Sequence, residues 1–190
     1  MPGRDEEKIA VALGEVRGKR PAKGRSPRFC GDIGLKIARD GSWSYQGSPI
    51  GRKPLVKLFA SVLRREQDGR YYLVTPVEKV LVEVEDAPFL AVEMTVEGKG
   101  KDQRLSFRTN LDDDVVADLA HPLRFRRNED GSFTPYLQVR EALEARLARP
   151  VYYDLVGVAV TGRADGKRTL GVWSAGSFFS FPEASGVGDA

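Results

Sequence analysis

Two short segments of the chain are nearly identical: Asp-Gly-Ser-Trp at 40–43 and Asp-Gly-Ser-Phe at 130–133. An Asp-Gly pair between β-prone runs predicts a tight hairpin turn. Each segment is followed by an amphipathic stretch with helical spacing, then by a Tyr-Tyr pair (71–72 and 152–153), then by further β-prone runs. The repeated order predicts a duplicated unit, and hence an α+β fold in which two similar curved antiparallel sheets each grip one helix.

In the first copy, β-prone runs at 35–38 and 42–46 flank the Asp-Gly turn. From Pro54 onward apolar residues recur at helical spacing, and they predict a helix that ends before 67–69. Alternating apolar and polar residues follow at 71–85, 89–98 and 105–109. They predict an antiparallel meander in which Leu90, Val92, Met94 and Val96 share one face.

In the second copy, the stretch from Leu137 to Ala148 has apolar residues at Val139, Leu143 and Leu147 and charged residues between them. This pattern predicts the second helix. Three β-prone segments at 151–162, 168–175 and 177–181 are predicted to close the fold as strands.

Composition divides the chain into four parts: a basic disordered leader (1–26), an N-terminal α+β unit (27–87), a C-terminal β-rich unit with one helix (88–183) and a frayed tail (184–190). The net charge is +3, but residues 1–28 contribute +4 and the remainder contributes −1. A nucleic-acid contact is therefore expected only through the basic leader.

The cysteine content and the hydropathy point to the cytoplasm. Cys30 is the only cysteine, which excludes an internal disulfide and a multi-cysteine metal site. No apolar run approaches the ~20 residues of a membrane helix, and the N-terminus does not read as a secretory signal. The sequence therefore predicts no membrane span and indicates no cofactor.

The loop between the first hairpin and the first helix is the best candidate for a ligand site. Gly47 and Gly51 would let backbone amides approach an anion, and the following helix would present its positive end. We expect Ser48, Arg52 and Lys53 to add polar and charged contacts. In the alternative interpretation the glycines and Pro49 have only a structural role in the turn, and Arg52 and Lys53 are exposed to solvent.

Two further features extend this candidate site. Trp43 and Tyr45 are predicted to form its apolar wall, although Trp43, Tyr45, Phe133 and Tyr136 would suit a core equally well. Arg140 is predicted on the first turn of the second helix, where a basic side chain opposes the helix dipole and an anionic ligand would relieve the mismatch. An ordinary surface arginine is the alternative.

The residues give weaker support to catalysis. His121 is the only histidine, and Glu78 or one of Asp112, Asp113 and Asp114 would have to converge with it to build a hydrolase-like site. The three consecutive aspartates lack the alternating ligands and glycine of a calcium loop. The sequence therefore predicts no metal ligand and assigns no catalytic residue.

Five strings of this sequence resemble a known family: FCGDIGLKIARDGSWSYQGSPIGRKPLVKLFASVLRRE, YYLVTPVEK, VEDAPF, HPLRF and PYLQVREALEARLARPVYYDLV. Together they resemble the bacterial domain-of-unknown-function family 1285, from about Pro27 to Phe181. The resemblance implies two similar β-rich units, each with a helix, that are comparable in part to pleckstrin-homology-like domains. It also implies a role in ligand binding or signalling, and it transfers no catalytic residue.

The combined expectation is a non-catalytic ligand-binding or regulatory module for a small anionic ligand or a peptide. A hydrolase-like enzyme and a nucleic-acid adaptor that works through the leader are the alternatives. Exposed edge strands would also allow a homodimer.

Overall fold

The computed structural model describes residues 27–164 and 166–182. The predicted leader (1–26) and tail (184–190) lie outside the described residues. The chain divides into two compact units, Met1–Ala87 and Pro88–Ala190. Among the described residues each unit holds one α-helix and is otherwise built mainly of strands. The predicted α+β class with one helix in each sheet-dominated unit is therefore confirmed.

The N-terminal unit is a six-stranded sheet with one helix. Its elements are β1 (Arg28–Ile37), β2 (Trp43–Tyr45), β3 (Ser48–Pro49), α1 (Lys53–Ser61), β4 (Leu63–Arg65), β5 (Tyr71–Val74) and β6 (Glu78–Val84). The strand order is β3-β2-β1-β6-β5-β4. All neighbouring strands are antiparallel except β1 and β6, which pair in parallel. This parallel pairing joins the first and last strands of the unit at the centre of one continuous sheet.

Helix α1 buries one face of four residues, Leu55, Val56, Phe59 and Ala60. Pro54 lies in its first turn, where a missing N–H costs no intrahelical hydrogen bond. The helix ends at Ser61, several residues before the predicted end. Strand β4 begins directly afterwards at Leu63, which is fully buried and pairs with Leu73.

The C-terminal unit holds two sheets. Its elements are β7 (Phe89–Glu97), a 3-10 turn (Gly100–Asp102), β8 (Arg104–Thr109), β9 (Asp114–Val116), β10 (Leu123–Arg127), β11 (Phe133–Arg140), β12 (Leu143–Leu147), α2 (Arg149–Gly157), β13 (Val160–Ala164), β14 (Lys167–Ser174) and β15 (Ser177–Ser180). The six-stranded sheet has the order β10-β11-β12-β7-β8-β9, and β13-β14-β15 form a second sheet. As in the N-terminal unit, the large sheet has one parallel pair, β7 with β12.

The predicted second helix at Leu137–Ala148 is wrong. Most of that stretch forms strands β11 and β12, and the helix lies at Arg149–Gly157, where most residues belong to the segment predicted as a strand at 151–162. Val139, Leu143 and Leu147 are four residues apart, a spacing that suits one face of a strand as well as one face of a helix. Pairing with the neighbouring strands β7 and β11 decides between the two structures.

The predicted buried face of β7 is also wrong. Phe89 and Ala91 are buried, while Val92 and Val96 are exposed. The register against β8 shifts between Ala91 and Glu93. Such a bulge changes which side chains face the core, because successive side chains along a strand alternate between faces.

The two Asp-Gly turns have the same geometry. The N–H groups of Ser42 and Ser132 each donate to the carboxylate of the preceding aspartate, Asp40 or Asp130, at 2.9 Å. The glycines between them have φ of 80° and 81°. The duplication therefore runs as hairpin, third strand, helix and second hairpin in both units. The Tyr-Tyr pairs are not equivalent, because 71–72 lie in β5 and 152–153 lie in α2.

We expect the Asp130 turn to stabilise the protein above about pH 4 and to lose this contribution in acid. Hydrogen bonds from the Ser132 hydroxyl and N–H hold the pKa of the Asp130 carboxyl below its usual value. A lowered folded-state pKa stabilises the fold above the unfolded-state pKa of about 3.9, and this stabilisation is lost as pH falls through the folded-state pKa. Urea unfolding at several pH values should show the difference between the native chain and Asp130→Asn shrinking below pH 4. A constant difference would contradict the assignment.

Candidate functional site

The structure places the predicted anion loop around two separate corners. Gln46 and Gly47 form the two-residue turn that joins β2 to β3, with φ of 49° and 80°. Positive φ at both positions is what a type I′ hairpin requires, so the turn itself explains Gly47. Arg52 and Lys53 lie beyond the other end of β3, at the start of α1.

The beginning of α1 has few donors left for an anion. Pro54 has no N–H, and the N–H groups of Leu55 and Val56 both donate to the carbonyl of Arg52, at 2.9 and 3.1 Å. Ser48, Arg52 and Lys53 are exposed. The loop therefore presents charge at the surface, while two of its backbone donors are used within the helix.

The two aromatic residues of the predicted wall have other surroundings. Trp43 is 2% exposed, and its ring centroid lies 6.0 Å from that of Phe59 on α1. Tyr45 is partly buried, and its hydroxyl accepts a hydrogen bond from the Gln46 amide at 3.0 Å. Trp43 is therefore a core residue, as the alternative interpretation of the sequence allowed.

Arg140 lies on strand β11 rather than on a helix, so the dipole argument made for it is wrong. A register shift separates it from Gln138, and its guanidinium lies 5.3 Å from the centre of the Phe89 ring. The basic residue at the start of α2 is Arg149, which is exposed.

The residues of the catalytic alternative have local partners. His121 Nδ1 lies 3.1 Å from Asp118, whose carboxylate also accepts the N–H of His121 at 2.7 Å. Burial raises the pKa of Asp118, but the hydrogen bonds from His121 outweigh it and leave the pKa below its usual value. Asp114 pairs with Arg108 at 3.2 Å, and the Glu78 N–H donates to Thr75. No group of three potential metal ligands occurs among residues 27–164 and 166–182.

A cavity of about 600 Å³ lies within the C-terminal unit. We call it the aromatic hollow. It lies between strands β10, β11 and β14, helix α2 and the residues that follow β15. Its walls are mostly apolar and include four aromatic rings: the lining residues are Phe125, Phe133, Tyr152, Val156, Arg168, Thr169, Leu170, Phe181 and Pro182.

Helix α2 leaves part of its apolar face uncovered at this hollow. Pro54 and Pro150 hold equivalent positions, since both helices have nine residues with proline second. The four buried positions of α1 then correspond to 151, 152, 155 and 156 in α2. Only Val151 and Leu155 are buried there, whereas Tyr152 is partly exposed and Val156 is 41% exposed. The two uncovered positions both line the hollow.

The hollow lies where the N-terminal unit has a continuous sheet, with β1 paired to β6. Strands β10 and β15 are the counterparts of β1 and β6 in the repeated order, yet they are edge strands of different sheets. No backbone ladder joins them in the part of the chain that the structure describes. The rings of Phe125 and Phe181 span the gap, with centroids 5.2 Å apart and an interplanar angle of 61°.

Arginine side chains give the region a positive potential. Arg168 lines the hollow, is exposed, and its guanidinium makes no hydrogen bond or ion pair with another described residue. A second cavity of about 440 Å³, the arginine groove, adjoins the hollow and shares Phe133 and Tyr152 with it. Its lining residues are Asn128, Ser132, Phe133, Thr134, Pro135, Arg146, Leu147, Arg149, Tyr152 and Tyr153. No carboxylate lines either cavity among the described residues.

Of the residues that line the hollow, the sequence indicated only Phe133 as a possible part of an aromatic wall. Its companion Tyr136 is 4% exposed and lies under the guanidinium of Arg126, 4.1 Å from the ring centre. The Phe-rich segment at 177–181 was the remaining signal in the sequence. No helix among the described residues has the length and apolar character needed to cross a membrane.

Two family models match the chain in succession. The model described as "Domain of unknown function (DUF1285), N-terminal domain" matches residues 20–87. The model described as "Protein of unknown function (DUF1285), C-terminal domain" matches residues 88–181. No curated protein matches the chain.

Two solved structures are similar to this chain. A DUF1285 family protein from Silicibacter pomeroyi DSS-3 is 45% identical with a TM-score of 0.75, and the match covers 88% of this chain and 92% of that one. A DUF1285 family protein from Shewanella baltica OS155 is 31% identical with a TM-score of 0.52, and the match covers 66% of this chain and 91% of that one.

Proposed function

The chain belongs to the DUF1285 family, and we propose from its own geometry that it is a non-catalytic regulatory module that binds a small organic anion in the aromatic hollow. The observation that carries this proposal is the uncovered face of α2. Tyr152 and Val156 border a cavity of about 600 Å³, although the equivalent positions of α1 are buried.

The size and lining of the hollow favour a small molecule. Ligand sites are typically concave, about 300–1,000 Å³ in volume and mainly apolar, with a few polar groups that fix orientation. Here Phe125, Phe133 and Phe181 supply the apolar wall, and Arg168 supplies the charged group. An apolar body would remove these rings from water, which contributes roughly 25 cal/mol per Å² of apolar surface buried.

The charge of Arg168 selects for an anion. A guanidinium forms bidentate hydrogen bonds with carboxylate, sulfonate or phosphate oxygens, and such charge-assisted bonds are about twice as strong as neutral ones. Arg168 has no ion pair within the described residues, so no carboxylate among them competes with the ligand.

A regulatory role fits the position of the hollow between two sheets. Phe125 lies in the middle of β10, and Phe181 directly follows β15. A ligand that contacts both rings would therefore couple the two sheets of the C-terminal unit. We place the protein in the cytoplasm, because Cys30 is an exposed thiol of the kind kept reduced there.

We expect Arg168→Glu to weaken the binding of anilinonaphthalene sulfonate, an aromatic anion whose fluorescence rises in apolar surroundings, by at least about tenfold. Arg104→Glu is the matched control, since Arg104 is also an exposed arginine of the C-terminal unit but lines neither the hollow nor the arginine groove. Fluorescence titration should show less than about a twofold effect of this control. Circular dichroism would confirm that each variant is folded.

The same titration tests the loop predicted from the sequence. The double variant Arg52→Glu and Lys53→Glu reverses two charges in the N-terminal unit, and it should leave probe binding within about twofold of the native value. If the double variant abolishes binding while Arg168→Glu has no effect, the site is the Gly47–Lys53 loop and the proposal is wrong. If the native protein binds no probe, the binding function itself is contradicted.

A further inference from the structure

We propose that the ligand is a planar aromatic acid whose ring system packs on Phe133 in the aromatic hollow, where the second ring of the Trp43 indole lies in the N-terminal unit. This inference rests on the proposed function, because it names the class of ligand for the same hollow. The acidic group of the ligand lies at Arg168.

The duplication makes the two places equivalent. Trp43 and Phe133 are each the third residue after the aspartate of the shared turn, and they begin β2 and β11. The helices that follow have the same length, and both end against a valine cap, Val62 and Val158. Trp43 packs on Phe59 of α1, and Phe133 lines the hollow together with Tyr152 and Val156 of α2.

Substitutions between the copies remove ring atoms from this place. Trp43 packs against Phe59 and is 2% exposed. The equivalent residues of the C-terminal unit are Phe133, which has one ring fewer, and Leu155, which has none. Protein interiors are packed as densely as organic crystals, and apolar space without a partner loses dispersion contacts. A ligand ring packed on Phe133 would supply the contacts of the ring atoms that Phe133 and Leu155 lack.

The walls favour an aromatic body over an aliphatic one. Four rings line the hollow, and Phe125 and Phe181 already meet edge to face across it. Aromatic pairs in offset or edge-to-face contact gain more than their buried area alone provides, by about two- to tenfold in affinity. The exposed side chains of Val156 and Leu170 would close over the edges of a flat ring system.

The charges favour an acid over a neutral or cationic ring. Arg168 lines the hollow. The guanidinium of Arg127 lies 6.0 Å from the centre of the ring of Phe133, which also lines the hollow. Two positive side chains repel a cationic ligand and attract an anionic one. The exposed position of Arg168 allows its guanidinium to turn toward an acidic group without breaking an existing ion pair with a described residue.

A panel of three probes tests this class by isothermal titration calorimetry on the full chain. Naphthoate is aromatic and acidic, octanoate is acidic only, and naphthylmethanol is aromatic only. We expect naphthoate to bind several-fold more tightly than octanoate and about tenfold more tightly than naphthylmethanol. Arg168→Glu should remove the preference for naphthoate over naphthylmethanol, whereas Arg104→Glu should preserve it.

Two variants of Phe133 test the equivalence with Trp43. Phe133→Trp should extend a second ring into the part of the hollow where the ligand ring packs and weaken naphthoate binding at least about tenfold, with no loss in melting temperature. Phe133→Leu leaves the hollow open but removes one ring, so it should weaken naphthoate several-fold and leave octanoate within about twofold. The second variant keeps the test valid if the first does not fold.

The outcomes separate this inference from the proposed function. If octanoate binds the native protein as tightly as naphthoate, the aromatic class is wrong, and the binding module stands. If Phe133→Trp folds and still binds naphthoate at the native affinity, the hollow is not the Trp43-equivalent site. If none of the probes binds, the proposed function and the inference are both overturned.

Discussion

Replacing Trp43 with alanine is expected to lower the free energy of unfolding by about 3–5 kcal/mol, the usual cost of deleting a large buried aromatic side chain. The side chain is 2% exposed and packs on Phe59, so its loss leaves a cavity in the N-terminal core. Phe133→Ala is the matched variant at the equivalent position. It should cost only about 1 kcal/mol, because Phe133 is partly exposed at the hollow. Urea denaturation measures both values.

The two variants together test whether Trp43 is a core residue and whether Phe133 borders an open site. If Trp43 were the wall of a ligand site, as the sequence predicted, Trp43→Ala would reduce binding and leave stability nearly unchanged. If Phe133→Ala proved as costly as Trp43→Ala, Phe133 would be a core residue and the hollow would not be an open site.

Replacing Gly171 with alanine is expected to lower the free energy of unfolding by about 2–3 kcal/mol, because the new methyl group has no space. A Cβ at this position would overlap the backbone carbonyl oxygen of Phe179 and lie 2.6 Å from Cζ of Phe178. The clash with the carbonyl is the costly one, since it involves the paired backbone of β15 and cannot be relieved by turning a side chain. The three-stranded sheet would have to separate locally.

Gly157→Ala is the control for Gly171→Ala. Gly157 ends α2, and a Cβ there meets nothing within 4 Å. Alanine should be neutral or stabilise the helix by up to about 1 kcal/mol, because it reduces the backbone freedom of the unfolded chain. Differential scanning calorimetry compares the two variants. Equal melting temperatures would contradict the close packing of β14 on β15.

The parts of the fold that follow from local chemistry were predictable. Asp40-Gly41 and Asp130-Gly131 predict their turns because aspartate accepts the N–H two residues later and glycine adopts positive φ. Pro54 and the apolar spacing after it place the start of α1 correctly. These signals depend on residues a few positions apart, and they established the duplicated α+β plan without any long-range contact.

The second helix could not be placed from the sequence because its signal was ambiguous. Val139, Leu143 and Leu147 satisfy both periodicities, and strong helix formers such as Glu144 and Ala145 lie between them. Pairing of Ala145 with Phe89, more than fifty residues away, settles the question in favour of a strand. This error also put Arg140 at a helix start, where the structure has Arg149.

The candidate site was less predictable than the fold. The sequence indicated a glycine-spaced basic loop, and the structure spreads its residues over two corners on either side of β3. The aromatic hollow depends on the absence of a ladder between the described strands β10 and β15, and on the change from Phe59 to Leu155 between the copies, which aligns only once α2 is placed. Neither property is local in the sequence.

Methyl NMR of the full chain with naphthoate tests most directly whether the aromatic hollow is the ligand site. Val156 and Leu170 line the hollow, whereas Ile50 lies in the Gly47–Lys53 loop of the N-terminal unit and Leu55 follows it. If the aromatic hollow is the ligand site, added naphthoate shifts the methyl resonances of Val156 and Leu170, with nuclear Overhauser effects to the ligand ring. The methyl resonances of Ile50 and Leu55 stay unchanged. Shifts at Ile50 and Leu55 with none at Val156 and Leu170 would contradict this site.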